Sequence, residues 1–497
     1  MAADPKAQRT PAAGQNAKGP GLTRRSVLGV AVAGGAGVAA LRLLGLNGAT
    51  HLAVPRAGTF DWVSPLRDER AQTLQLLRRA AFGATAAQTE KALSDGFRKT
   101  LDRLVETPAA PAPAFPGGET ASRTSPIKVV DLQRWWVDHM LTTPTPFAER
   151  MTLFWHGHLT SDYRKVGLQY PFIYWQNLTW RANALGDFRT FLYQATIDPA
   201  MLRYLDLSTS TGRSPNENYS RELMELFTMG AGTFSEADVR AGAKALAGWR
   251  EPRTQAQVAA ERADPRLTAA QQARVNPSYD SGRTGVFDPK RAFDGQLTFL
   301  GKTGKFDTQA VIDRILAQKA TAPYIVRRVL INFVTPNPSD AYVNRLAGNF
   351  VKSKWSIRQL MHDVFSSDEF RAPTSYRALV KSPVEFMVHA MRAVGAANAT
   401  QLVSQYGSGM GQSLFDMPDV GGWPINEGWI SSNSVLARIN FVTGLLKATR
   451  TLPAAADAHS HHLDSILSPA TAALLNASSS DAERWTAVLA SPEFQLK

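Results

Sequence analysis

The chain has 497 residues, with 44% hydrophobic and 20% charged side chains and 11 Trp, 11 Tyr and 23 Phe. That balance belongs to a folded protein with a sizeable core and excludes wholesale disorder, collagen and a multispanning membrane protein. Cysteine is absent, which excludes disulfides, thiolate nucleophiles, iron–sulfur clusters and every Cys-bearing zinc site. Part of the net charge of +13 sits in residues 1–48, where Lys6, Arg9, Lys18, Arg24, Arg25 and Arg42 face only Asp4. The remainder is spread among both signs. It favours acidic partners or envelope polymers, and it lacks the dense basic stripe or aromatic–basic interleaving of a nucleic-acid module.

The first element is a leader. Residues 23–29 (TRRSVLG) precede the apolar run 30–41, at about a dozen residues too short for a comfortable transmembrane helix. The arginine pair Arg24-Arg25 before a weakly apolar Ala/Gly stretch resembles a twin-arginine export signal. Residues 1–48 are therefore expected to direct export to the periplasm, cell surface or medium, either cleaved near 49–53 or kept as an N-terminal anchor. Residues 49–65 read as a linker.

From residue 66 the pattern is helical. ERAQTLQLLRRAAFG (69–83) places Leu74, Leu77 and Ala81 at helical spacing before Gly83. TAAQTEKALSDG (85–96) opens on a cap and stops at glycine. Residues 108–125 are a Pro- and Gly-rich loop. Helices are predicted at 128–141, from 146 towards 155, and at 187–196. SPNENYSRELMELFTMG (214–230) is the cleanest of them, and SEADVRAGAKALAGW (235–249) opens with the spacing of a capping box. Residues 250–281 read as a surface excursion, and strand-like patches at 286–287 and 296–300 suggest one small hairpin. Helices resume at 308–318, 322–333, 340–352, 356–365, 382–395 and 431–449, with 450–463 a loop carrying His459, His461 and His462. The expected fold is mainly α-helical: a single large multi-helix domain over 66–497, with long loops and at most a small hairpin.

Chemistry concentrates in three places. FWHGH (154–158) sets His156 and His158 two residues apart. On a helix, at about 100° per residue, the rings diverge by about 200°; on an extended segment they face one way and suit a divalent transition metal such as zinc. Gly157 keeps the extended alternative open, against a buried pair that bonds backbone carbonyls. On 214–230 the same count places Asn218, Arg221, Glu222 and Glu225 on one face, with Tyr219, Leu223, Leu226 and Phe227 on the core side. Glu222 is then a third metal ligand, Glu225 a general base, Arg221 the group that orients an anionic substrate, and Asn218 a substrate contact. The competing account is a solvated face laced by ion pairs, with Glu217 four residues before Arg221. DMPDVGGWPINEGW (416–429) surrounds Trp423 and Trp429 with glycine turns, an aromatic wall beside a pocket and a substrate-binding candidate. Of Arg327 and Arg328, in a helix with Tyr324, one is expected to pair and the other to reach the cleft. His389 falls on an apolar helix face and reads as a core histidine.

ENYSRELMELFTMG (217–230), followed by DVRAGAKALAGW (238–249), resembles the DUF1800 family, a widespread bacterial family of unknown function. LLRRAAFGAT (76–85) resembles its opening helix, FWHGH its F-W-H-x-H segment, and KSPVEFMVHAMRAVG (381–395) its S-P-x-E-F helix. DMPDVGGWP (416–424) is similar to its glycine–tryptophan–proline loop and ASPEFQLK (490–497) to its usual C-terminal segment. The likeness covers the chain from residue 66 onward. Gly157 stands where members often have Asn, and Phe293-Asp294 where many have His-Asp. The resemblance implies an exported protein. Two functions follow: a metal-dependent hydrolase of an envelope or secreted substrate, or a non-catalytic scaffold or assembly protein that binds an envelope polymer or protein partner. A G-x-S-x-G elbow and a G-x-G-x-x-G nucleotide loop are both missing from the sequence.

Overall fold

The computed structural model describes residues 63–276 and 282–497. The expected export signal and most of the linker lie outside them. The described residues belong to one unit, Trp62–Lys497, built from twenty-four α-helices and four short strands. The chain is thus mainly α-helical. No helix among the described residues is long and apolar enough to cross a membrane.

Local sequence sets most helix ends. Asp68, Asp187, Asp198 and Ser356 each cap a helix by accepting a backbone N–H with the side chain. Reciprocal capping boxes join Thr85 to Gln88, Ser235 to Asp238 and Ser382 to Glu385. Gly96 turns the chain at φ +78° as its sequence suggests, but helix continues beyond it to Glu106. The Glu69 carboxylate accepts the Phe97 N–H at 2.9 Å, so the bond lost at the kink is replaced.

Three stretches differ from the sequence pattern. Phe172–Asn183 is a helix that periodicity misses, because FIYWQN is buried without a break and shows no polar face. Residues 450–463 are not all loop: Ala458–Leu463 is helical and buries His462. The two strand-like patches pair elsewhere rather than with each other. Trp249–Arg250 (β1) joins Val286–Phe287 (β2), and Leu297–Phe299 (β3) turns back on Lys302–Gly304 (β4). Within the excursion, Gln255–Arg262 and Ala269–Ala273 are short helices with mostly exposed side chains.

Two helices occupy the centre. Every residue of Pro383–Ala393 is buried, and so is every residue of Pro146–His156 after its proline. Phe147 and Phe154 meet Phe333 and Phe365 in edge contacts, while Trp155 packs between Phe188 and Phe191. Both helices also carry charge into this interior. Glu149 is salt-bridged to Arg181 and accepts the Trp136 indole N–H at 2.8 Å. Arg150 meets Glu385 at 2.7 Å, and Lys497 closes on the same carboxylate. A second buried pair links the ends of the domain: Arg78 is bidentate to Asp464, which also accepts the Tyr376 hydroxyl. Asp464→Ala should leave Arg78 buried without its counter-charge and cost about 3–5 kcal/mol. Denaturant unfolding, with Tyr376→Phe as the mild comparison, checks this.

Candidate functional site

The H-x-H segment is a helix end. Helix Pro146–His156 runs through the first histidine, Gly157 stays in the right-handed region as its cap, and the Leu159 N–H bonds the Trp155 carbonyl at 2.8 Å. The segment is therefore not extended, and the two rings leave it in different directions. His156 Nε2 accepts the Phe415 N–H at 3.1 Å, inside a wall of Trp136, Phe415 and Trp423. His158 Nε2 lies 3.0 Å from the Phe227 carbonyl, which fixes the proton on that nitrogen, and its ring stacks on Phe154. Burial lowers the pKa of His156 to about 3. His158 falls to about 3 through burial and then the charge of Arg328.

The tryptophan loop docks on this turn. Phe415 sits at φ +66°, a strained conformation for a bulky residue. Its N–H is held by His156 and its carbonyl by the Tyr163 N–H at 3.0 Å. Thr160 bonds the Val420 carbonyl at 2.7 Å, and Arg164 pairs with Asp416 at 2.9 Å. Gly422, at φ +86°, brings its backbone so close that a Cβ would lie 2.3 Å from the Gly157 carbonyl oxygen. Trp423 then lies over Gly157 with its indole N–H buried and unpartnered.

The Glu helix is not uniform. Asn218–Glu222 is α-helical, but Leu223–Thr228 is a π-turn, seen in the Met229 N–H bonding Met224 rather than Glu225. Its wider winding turns the chain by less than about 100° per residue, so Glu225 is rotated away from the bearing an α-helix would give it. Ser220 faces Gly242 of the next helix at a distance that leaves no space for a Cβ, and it bonds the Val239 carbonyl. Arg221 is committed to Glu236 by two 2.7 Å bonds, with Glu217 at 3.5 Å. Asn218 reaches Asp206 at 3.4 Å. These two follow the ion-paired, solvated account of the face. Glu222 and Glu225 do not: half-buried, they make no ion pair or side-chain hydrogen bond among the described residues. Burial first, then the charge of Glu225, raises the Glu222 pKa.

The histidines and Glu222 do not assemble. Among the described residues no group of three or more His, Asp or Glu side chains is placed to hold a metal ion. With both Nε2 atoms engaged by backbone, these residues do not fit a preassembled divalent-metal site. What the fold does form is a narrow cleft of about 60 Å³ beside the turn, lined by His158, Trp423 and Trp429 together with Arg150, Arg328 and Lys497. Of the arginine pair, Arg327 bonds Asp340 at 2.5 Å and Arg328 lines the cleft. Arg150 and Lys497 escape a sequence reading because their only signal is a charge within an apolar run or segment. Tyr324 bridges the two regions: its hydroxyl bonds the Leu226 carbonyl at 2.7 Å, and its ring feels both Arg328 and Glu225.

Two outcomes follow from the docking. Gly422→Ala should lose about 2 kcal/mol or more, from the left-handed backbone and the contact with Gly157, read as a lower denaturation midpoint with changed Trp fluorescence. The buried histidines make the fold acid-sensitive. Between their ordinary value of 6.5 and about 3, the unfolded chain binds protons that the folded chain refuses, so stability falls as pH falls through that window. Each contributes a slope of about 1.4 kcal/mol per pH unit. His156→Gln, whose amide oxygen can still accept the Phe415 N–H, should remove one such slope in denaturation curves taken from pH 7 to pH 5.

No curated protein and no solved structure matches the chain. The family model described as "Protein of unknown function (DUF1800)" matches residues 75–496. That match takes in the H-x-H turn, the Glu helix, the tryptophan loop and the segment that ends on the buried central helices, and the chain belongs to the DUF1800 family.

Proposed function

We propose that the protein is a hydrolase acting outside the cytoplasm on an envelope or secreted substrate, with Glu222 and Glu225 as its acid–base pair. One observation carries this reading. The two carboxylates stand half-buried and without an ion pair or side-chain hydrogen bond among the described residues, on a helix whose other charged groups are all neutralised, and burial and then the neighbouring Glu225 raise the proton affinity of Glu222. Two neighbouring carboxyls, one of them with a raised proton affinity, are the groups a general acid and a general base require. The π-turn that re-aims Glu225 is a distortion frequent at functional sites. Tyr204, pushed up to about 12 by burial and the carboxylates Asp162, Asp419 and Glu222, supplies a protonated hydroxyl on the same side.

In this scheme Glu225 takes a proton from water as its oxygen attacks the scissile centre. Glu222 gives its proton to the departing oxygen, and exchange with solvent returns both groups to their starting states. Export is supported by Arg24-Arg25 and the short apolar run behind them. The test is release of reducing ends or acid from a panel of envelope and secreted polymers. Glu222→Gln and Glu225→Gln should each lower turnover by about 10²–10⁴-fold with unchanged circular dichroism. A folded wild type without turnover on the panel, or undiminished turnover in both variants, would overturn the assignment and leave a binding or scaffold role.

A further inference from the structure

The helix that carries Glu222 and Glu225 is pinned at both ends by different parts of the fold. At its start, Ser220 lies against Gly242 with no space for a Cβ and bonds the Val239 carbonyl at 2.9 Å, while the buried Tyr219 hydroxyl meets Thr196 at 3.0 Å. At its end, two side chains from elsewhere take the final carbonyls. The Tyr324 hydroxyl donates to Leu226 at 2.7 Å, and the His158 Nε2–H donates to Phe227 at 3.0 Å. Gly230 closes the helix at φ +86°, where a Cβ would lie 3.0 Å from the Tyr324 ring.

Between those anchors the winding is wide. The Met229 N–H reaches the Met224 carbonyl at 2.8 Å and the Gly230 N–H reaches the same carbonyl at 3.1 Å, where α-helical winding would send them to Glu225 and Leu226. The Tyr324 hydroxyl therefore occupies the carbonyl that the Gly230 N–H would take in an α-helix. Both outside donors keep their protons. Burial raises the Tyr324 pKa, against the charge of Arg328 and with that of Glu225, and the Phe227 carbonyl fixes the His158 proton on Nε2. The donors lie 69 and 98 residues from the carbonyls they bind. Winding of this kind is rare, and here it is the register that leaves the Leu226 carbonyl free for the Tyr324 hydroxyl.

We infer that Tyr324 and His158 are positioning residues: by holding the Leu226 and Phe227 carbonyls they lock Leu223–Thr228 in the π register, and that register sets where Glu225 stands relative to Glu222. The bearing of the register on turnover rests on those two carboxylates being the acid–base pair; the register itself does not. In an α-helix, residues three apart are close neighbours, so a return to α winding would swing Glu225 towards Glu222. A like charge brought nearer raises a carboxyl's proton affinity. Burial, Glu225 and Arg221 are what shift Glu222, so its titration follows the position of Glu225. Capping of a helix end alone would add stability and leave that titration where it is.

The experiment is a carboxyl titration of the full-length protein labelled with ¹³C-glutamate, with Glu222→Gln and Glu225→Gln to assign the two signals. Tyr324→Phe keeps the ring against Gly230 and removes only the hydroxyl. His158→Leu removes the second donor, and His158→Gln restores an N–H for the Phe227 carbonyl. The Glu222 midpoint should rise by about 0.5 pH unit or more in Tyr324→Phe and in His158→Leu, and return towards the wild-type value in His158→Gln. On any polymer that the wild type cleaves, Tyr324→Phe should lower kcat about tenfold or more with KM little changed. If His158→Leu does not fold, Tyr324→Phe decides alone. A Glu222 midpoint that stays in place or falls in Tyr324→Phe, whatever the change in stability, would overturn the inference. A wild type that cleaves nothing would sink the hydrolase reading, and the titration would still decide the register.

Discussion

A helix buried on every side must find a partner for each polar group it carries, and Pro146–His156 carries several. Glu149 takes Trp136 and Arg181, and Arg150 takes Glu385. His156 takes the backbone of Phe415, and His158, two residues beyond the helix end, takes that of Phe227. These partners come from segments spread over much of the chain. Satisfying one helix therefore fixes the relative positions of the Glu helix, the S-P-x-E-F helix and the tryptophan loop. Burial sets the protonation that this demands. Glu149 and Glu385 would be raised by burial, but the cations beside them hold both at about 2, while the two imidazoles are kept neutral.

This arrangement separates positioning from chemistry. The groups that look most reactive in the sequence, the histidine pair and Arg221, serve as connectors or surface ion pairs. Among the described residues, Glu222 and Glu225 make no ion pair or side-chain hydrogen bond on one side, nor do the Arg328 side chain and the Trp423 indole on the other, with Tyr324 between the two sets. Unpaired polar groups in partly buried positions cost stability, and part of that cost falls in this stretch of the fold. The strained backbone of Phe415, bonded on both of its polar sides, lies at the edge of the same stretch.

Much of the helical plan was legible because caps and amphipathic period are local. Ser235 and Asp238, or Ser382 and Glu385, announce their helices within four residues. The plan blurred where locality failed. Phe172–Asn183 is apolar on too many sides to show a period, and Val286–Phe287 pairs with Trp249–Arg250 across an excursion that no turn signal bridges. The site was legible as a set of segments but not as a geometry. The H-x-H turn, the Glu helix and the paired tryptophans were all visible. The bearing of Glu225 depends on a π-turn for which the residues offer no local signal.

By itself, then, the sequence determined the helical class, the family, most helix ends, and the four segments that would matter, because composition, capping and hydrophobic spacing act over a few residues. Only the tertiary structure decided what those segments do to one another. It turned His156 and His158 outward to two different backbones instead of toward one ion. It neutralised Arg221, left Glu222 and Glu225 unpaired, and exposed Arg328 to a cleft beside Trp423. Those outcomes depend on which partner reaches each charge first across hundreds of residues, and burial and hydrogen-bond satisfaction settle that in three dimensions.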